Sequence, residues 1–275
     1  MSIRGFSLLA AAAIALISGC QRAFPPDAAT VAVSSSYLEA AARDLLGATA
    51  TIARLAEPGG CPGHSDFRPA QVEKIRRARV LVRFDFQESW ETRLREGFPS
   101  GKGPSVVRIA LPGGMGEPAT YLAACRQTAE GLAAAGMLTP ADAERRLAEI
   151  AARLDALTDA CRRQAAEFRG APVLCSMHQE RFCRWLGLTP VGVFRATDGT
   201  KIREVETALR SGARARARWV IANAPEGRRL ADALAERLGA KVVVFDNFPE
   251  RATDPDAFDG MVARNVARLK ASAGP

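Results

Sequence analysis

Histidine is almost missing from this chain: 275 residues hold two, His64 and His178. No H-E-x-x-H pair is present, which removes the usual helical signature of a zinc peptidase, and no ordinary zinc-finger spacing occurs. Aromatic residues make up only 6% of the chain, so the arginine excess behind the net charge of +8 is not interleaved with stacking side chains. Such arginine reads as solvated surface on helices, not as a nucleic-acid footprint. After the first twenty residues no apolar run approaches the ~20 residues that a membrane-spanning helix needs. The two halves of the chain share an order of elements but no residue-level repeat.

The amino terminus is the exception to this even texture. "MSIR" supplies a basic start, and "GFSLLAAAAIALISGC" an apolar run ending in small residues, the pattern of a secretory signal. Its "ISGC" ending resembles a bacterial lipobox, which implies cleavage before Cys20 and lipid attachment there. Residues 1–19 are then the signal and 20–29 a Pro-rich tether. Five cysteines remain, an odd number for an oxidising compartment, so no internal disulfide scheme uses them all. Cys125, Cys161 and Cys183 fall in amphipathic helical patterns, where core packing is the default. Cys61 and Cys175 each precede a histidine by three. For Cys61 a ligand role, a disulfide to Cys175 and plain burial all stand open; for Cys175, within an apolar strand, burial leads.

From residue 30 the chain alternates. "TVAVSSS", "ATIARLA", "RVLVRFD" and "SVVRIAL" read as strands, each followed by a helical pattern, up to "YLAACRQTAEGLAAAG". "PVLCS", "VGVFRA", "RWVIANA" and "KVVVFD" repeat the scheme in the second half. Between them, "TPADAERRLAEIAARLDALTDACRRQAAEFRG" has a Thr-Pro helix start, a Gly-x-Pro stop and one apolar stripe through Leu147, Ile150, Leu154, Leu157, Cys161 and Phe168. The expected fold is α/β: two lobes, each a parallel four-stranded sheet flanked by helices, joined by one long rigid helix. The boundaries expected are 30–140, 141–169 for the connecting helix, and 170–275.

In open parallel sheets, ligands gather beyond the carboxyl ends of the strands. "CPGH" (61–64) follows the second strand, "CSMH" (175–178) runs off the fifth, and Asp246 in "VVVFDNFP" closes the last. His64, His178 and Asp246 therefore converge on strand ends as candidate metal ligands. Imidazole with carboxylate suits zinc or manganese, and a thiolate from Cys61 would favour zinc.

These segments resemble, in order and spacing, the lipoproteins that feed zinc- or manganese-importing ABC transporters. "VAVSSSYLEAAARDLLG" is similar to that family's opening strand and helix, "GGCPGHSDFRPAQVEKIRRARVLV" to its first histidine loop, and "VLCSMHQERFCRWLGL" to its His-Asp-Ala-Phe segment. "GAKVVVFDNFPE" followed by "FDGMVARNVARL" matches its closing strand, carboxylate and helix. The resemblance implies that His64, His178 and Asp246 bind Zn²⁺ (or Mn²⁺), that the lobes close little, and that the partner is an ABC permease in the inner membrane. One departure stands out. Where the family has a further histidine after the fourth strand, this chain reads "ALPGGMGEPATYL", leaving Glu117, Met115, Cys61 or water to fill the position. Two other functions stand beside metal capture: a zinc-dependent hydrolase with an open coordination position, and a binding protein of the same fold for a non-metal ligand.

Overall fold

In a computed structural model, residues 31–57, 69–96, 103–196, 202–254 and 256–274 are described. The first half runs β1 (Val31–Val33), α1 (Ser36–Leu46), β2 (Ile52–Arg54), α2 (Pro69–Arg77), β3 (Val80–Phe84), α3 (Glu88–Glu96), β4 (Ser105–Ile109) and α4 (Pro118–Ala134). After α5 (Pro140–Gln164) come β5 (Pro172–Ser176), α6 (Glu180–Trp185), β6 (Thr189–Phe194), α7 (Ile202–Ala215), β7 (Trp219–Asn223), α8 (Arg229–Leu238), β8 (Lys241–Phe245) and α9 (Ala257–Ala273). The strands form two parallel four-stranded sheets, ordered β2-β1-β3-β4 and β6-β5-β7-β8. The same order in both halves confirms the α/β architecture expected from the alternating pattern.

Local chemistry starts and stops these elements. Ser35 caps α1 by accepting from the Leu38 amide at 3.3 Å, and Gly47, at φ 93°, returns its own N–H to Arg43. Thr139 caps α5 by accepting from the Asp142 amide at 3.1 Å, ahead of Pro140 at the first helical position. The α5 helix is continuous for 25 residues, roughly 37 Å at about 1.5 Å per residue. It ends at Gln164, short of Arg169. The chain then tightens into a 3₁₀ turn over Ala166–Phe168, which swings the Phe168 ring edge-on to Trp219 at 5.4 Å. Burial of that ring ends the regular helix before Gly170 does.

Strand side chains alternate between two sides, as the period of two requires. Val31 and Val33 of β1, and Val173 and Cys175 of β5, join one core that spans both halves of the chain. Ala32 faces a smaller cluster under α2 and α3, and Leu174 another under α7 and α8. The shared core holds an aromatic knot in which Tyr121 stacks on Phe258 at 4.0 Å. Tyr37 meets both rings edge-on, at 5.3 and 6.0 Å. Beside it, Arg153 in the middle of α5 binds Asp44 of α1 at 2.6 Å and Asp259 of α9 at 3.3 Å. It also binds Asp256 just before α9. One guanidinium thus ties elements from both sheets to the rod.

Gly131 shows how closely α4 lies on its sheet. A Cβ there would sit 2.3 Å from Cγ2 of Val107 in β4. Helix propensity alone would make Gly131→Ala stabilising by about 1 kcal/mol. Overpacking against a short β-branched side chain reverses the sign, and we expect a net loss of about 1 kcal/mol in urea denaturation.

Candidate metal centre

The order β6-β5-β7-β8 makes the chain leave β5 toward one edge of the sheet and β7 toward the other. The crevice of such a sheet opens between the carboxyl ends of those two strands. Off β5, the Ser176 hydroxyl accepts from the His178 amide at 3.3 Å and starts a 3₁₀ turn over Met177–Gln179. Off β7, Pro225 shapes a matching turn over Ala224–Glu226 that Gly227, at φ 74°, terminates. These two turns bring His178 and Glu226 together across the crevice, with Nε2 and Oε1 3.3 Å apart. Ser176 Oγ donates to the other carboxylate oxygen, Oε2, at 2.6 Å. The Glu226 side chain is 11% exposed and that of His178 50%, so a firmly held carboxylate faces an accessible imidazole.

Beneath them, a buried amide knits the strand ends. Gln179 Nε2 donates to Asn223 Oδ1 at 3.0 Å, Asn247 Oδ1 at 2.9 Å and the Phe245 carbonyl at 3.3 Å, which joins β5, β7 and β8. Asp246 follows β8 directly. Its backbone is clamped by Asn265, whose Oδ1 accepts from the Asp246 amide at 2.8 Å and whose Nδ2 donates to its carbonyl at 2.9 Å. Its carboxylate accepts from Arg268 Nη1 at 2.8 Å. Asp246 is therefore engaged toward α9.

Glu117, at the start of α4, accepts from Arg181 Nε at 2.7 Å and Nη2 at 3.3 Å, a two-point pair between the halves of the chain. Gly114 lies so close beneath this pair that a Cβ would come within 2.8 Å of Arg181 Nε. Met115 packs against the shared core. Cys175 is a free thiol, fully buried on the core side of β5, which puts a disulfide at a cleft mouth out of its reach. Burial pushes the Cys183 thiol well up, with Cys175 beside it adding to the rise, so Cys183 offers no thiolate.

The structure thus joins His178 to Glu226, a residue that the strand-end argument passed over. Its signal was present: "NAPEG" at the end of β7 is a Pro- and Gly-punctuated turn that carries a carboxylate. Among the described residues no three His, Cys, Asp or Glu side chains form a group that could hold an ion. His64, Cys61 and Cys20 lie outside the described residues.

Two parallel four-stranded sheets with one long helix between them define a two-lobed α/β protein. The chain belongs to the family described as zinc-uptake complex component A, periplasmic, whose model matches residues 31–272. Members of this family are substrate-binding components of metal transporters that work with ABC permeases; they are not enzymes. The fold is similar to the crystal structure of ZnuA, at a TM-score of 0.68 and 14% identity over 86% of this chain and 97% of that one. It is similar to the laminin-binding protein Lbp of Streptococcus pyogenes, at a TM-score of 0.72 and 13% identity over 88% and 98%. It also matches the Mn-bound periplasmic metal binding protein from Candidatus Liberibacter asiaticus, at 0.69 and 10% over 87% and 97%. No curated protein matches the chain in sequence.

Proposed function

We propose that the protein captures a divalent metal ion outside the cytoplasm and delivers it to an ABC-type importer, with zinc as the favoured cargo. The observation that supports this reading is the His178–Glu226 pair, 3.3 Å apart across the switch point of the second sheet. An accessible imidazole nitrogen beside a firmly held carboxylate is half of a borderline-soft cation site. The other half would come from His64, with Cys61 three positions before it in the sequence, between β2 and α2 in chain order. A thiolate would weight the choice toward zinc and away from manganese. Asp246 would join only if Arg268 releases it. The lobes would be residues 30–140 and 170–275, with 141–169 as the connecting helix. A lipid on Cys20 would hold the mature chain at the membrane, within reach of its permease.

Titration of the purified mature protein with zinc, against a chromophoric chelator, tests the reading. One equivalent should bind. His178→Ala should weaken binding more than about tenfold, because a ligand is lost outright. Glu226→Gln should weaken it less, since an amide oxygen keeps the position but not the charge. A wild-type protein that takes up neither zinc nor manganese would overturn the proposal.

A further inference from the structure

Metal capture makes no use of Cys175 and Cys183, two thiols that the fold brings together. Cys175 is the fourth residue of β5 and faces the shared core; Cys183 is the fourth residue of α6, the helix that follows that strand. Both residues are 0% exposed, and their thiols hydrogen-bond to each other. The approach is fixed by the ring next to Cys183. Phe182 stacks on Trp185 at 5.4 Å and meets Phe245 of β8 edge-on at the same distance, which seats α6 on the sheet. Cys125 is engaged differently, with the Tyr121 side chain. Between Cys175 and Cys183 lies the 3₁₀ turn that carries His178. The family is periplasmic, and an oxidising compartment turns neighbouring thiols into disulfides.

We propose that Cys175 and Cys183 form a disulfide in the exported protein, closing residues 175–183 into a covalent ring around the turn at Met177–Gln179. Two thiols become one disulfide by giving up two protons and two electrons, and a disulfide-bearing oxidant accepts them as it becomes a dithiol. One cysteine thiolate attacks the S–S bond of the oxidant and releases its first thiol. The other attacks the mixed disulfide at the protein sulfur and releases the second. In the folded core neither sulfur is accessible, and burial keeps the Cys183 thiol protonated. The exchange therefore precedes the packing of α6 on β5. Once closed, the ring removes conformations from the unfolded chain on both sides of His178. The inference goes beyond metal capture and needs no bound ion; it rests only on export.

The test is a peptide map of the full chain recovered from the cell envelope, unfolded and alkylated without reductant, then digested with trypsin. Cleavage after Arg169, Arg181 and Arg184 separates the two cysteines. The expected product is peptide 170–181 joined to peptide 182–184, released as two peptides by a thiol reductant and lost in Cys183→Ala. Alkylated Cys175 and Cys183 in the unreduced wild type, or either one joined to another cysteine, would overturn the proposal. The wild-type map needs no variant, so a failure of Cys183→Ala to fold does not blunt it. A second experiment refolds reduced wild type in a glutathione–glutathione disulfide buffer, which should form the same bridge. Adding glutathione disulfide to the folded, reduced protein should form it at least about tenfold more slowly, because the sulfurs are buried. The bridged form should melt about 5 °C above the reduced one, and equal melting temperatures would overturn the role of the ring. Free thiols in the recovered protein with a bridge after refolding would count against export and not against the pair.

Discussion

Arg153→Met should lower the unfolding free energy by about 3 kcal/mol, because it strips the counterion from several carboxylates at once. Arg153 lies in the middle of α5 with 24% of its side chain exposed, and it binds Asp44, Asp256 and Asp259. Methionine keeps the apolar stem out to the position of Nε, so the loss reports chiefly the missing guanidinium and its ion pairs. Asp44 also accepts from the Tyr121 hydroxyl at 2.8 Å, which draws the aromatic knot into the same network. Urea denaturation at neutral pH measures the change. Asp256→Asn is the control: with 58% of that side chain exposed, its effect should stay below about 1 kcal/mol. If the two variants are equally stable, the guanidinium is not what joins these helices.

Asp259→Asn should act in the opposite direction and flatten the pH profile. Burial pushes the Asp259 carboxyl up from its ordinary 3.8 to about 6; Arg153 opposes the rise, and the carboxylates of Asp256 and Asp44 add to it. Because the folded pKa is the higher one, the native chain keeps a proton between about pH 4 and 6 that the unfolded chain has released. This contribution is fully present below the unfolded pKa and is lost as pH rises through about 6. At neutral pH the ionised carboxylate therefore costs stability, on the order of 2 kcal/mol. Asparagine keeps the shape of the side chain beside Arg153 Nε and carries no charge. The variant should be more stable than wild type at pH 7, and its melting temperature should not fall between pH 4 and 6. A wild-type melting curve that does not change over that interval would rule the argument out.

The elements of this fold were legible because each depends on its own neighbours. The short apolar runs at 80–84 and 241–245, the Thr-Pro start of α5 and the Gly stop of α1 are decided within a few residues. The end of α5 was less so, since the turn at Ala166–Phe168 answers to Trp219, far along the chain. The candidate site divides in the same way. His178 and Asp246 were legible as polar residues at the ends of apolar strands. That Glu226 stands opposite His178 follows from the order of β5 and β7 in the sheet, which no local pattern encodes. That Arg268 and Arg181 occupy Asp246 and Glu117 depends on how α9 and α6 lie against the strand ends. Pairings of this kind become visible only once the helices have been placed.

Tyr37, Tyr121 and Phe258 share one core although α5 separates the first two from the third along the chain. A chimaera that took its first half from this protein and its second from a distant member of the family would be cut through that knot. It would have to carry a flat ring at position 258 to lie on Tyr121, and carboxylates at 256 and 259 for Arg153. Neither half brings a complete interior of its own to such a graft. The smallest piece of this chain that can be exchanged with a relative is therefore larger than a lobe: it includes the rod and both aromatic faces that meet beside it.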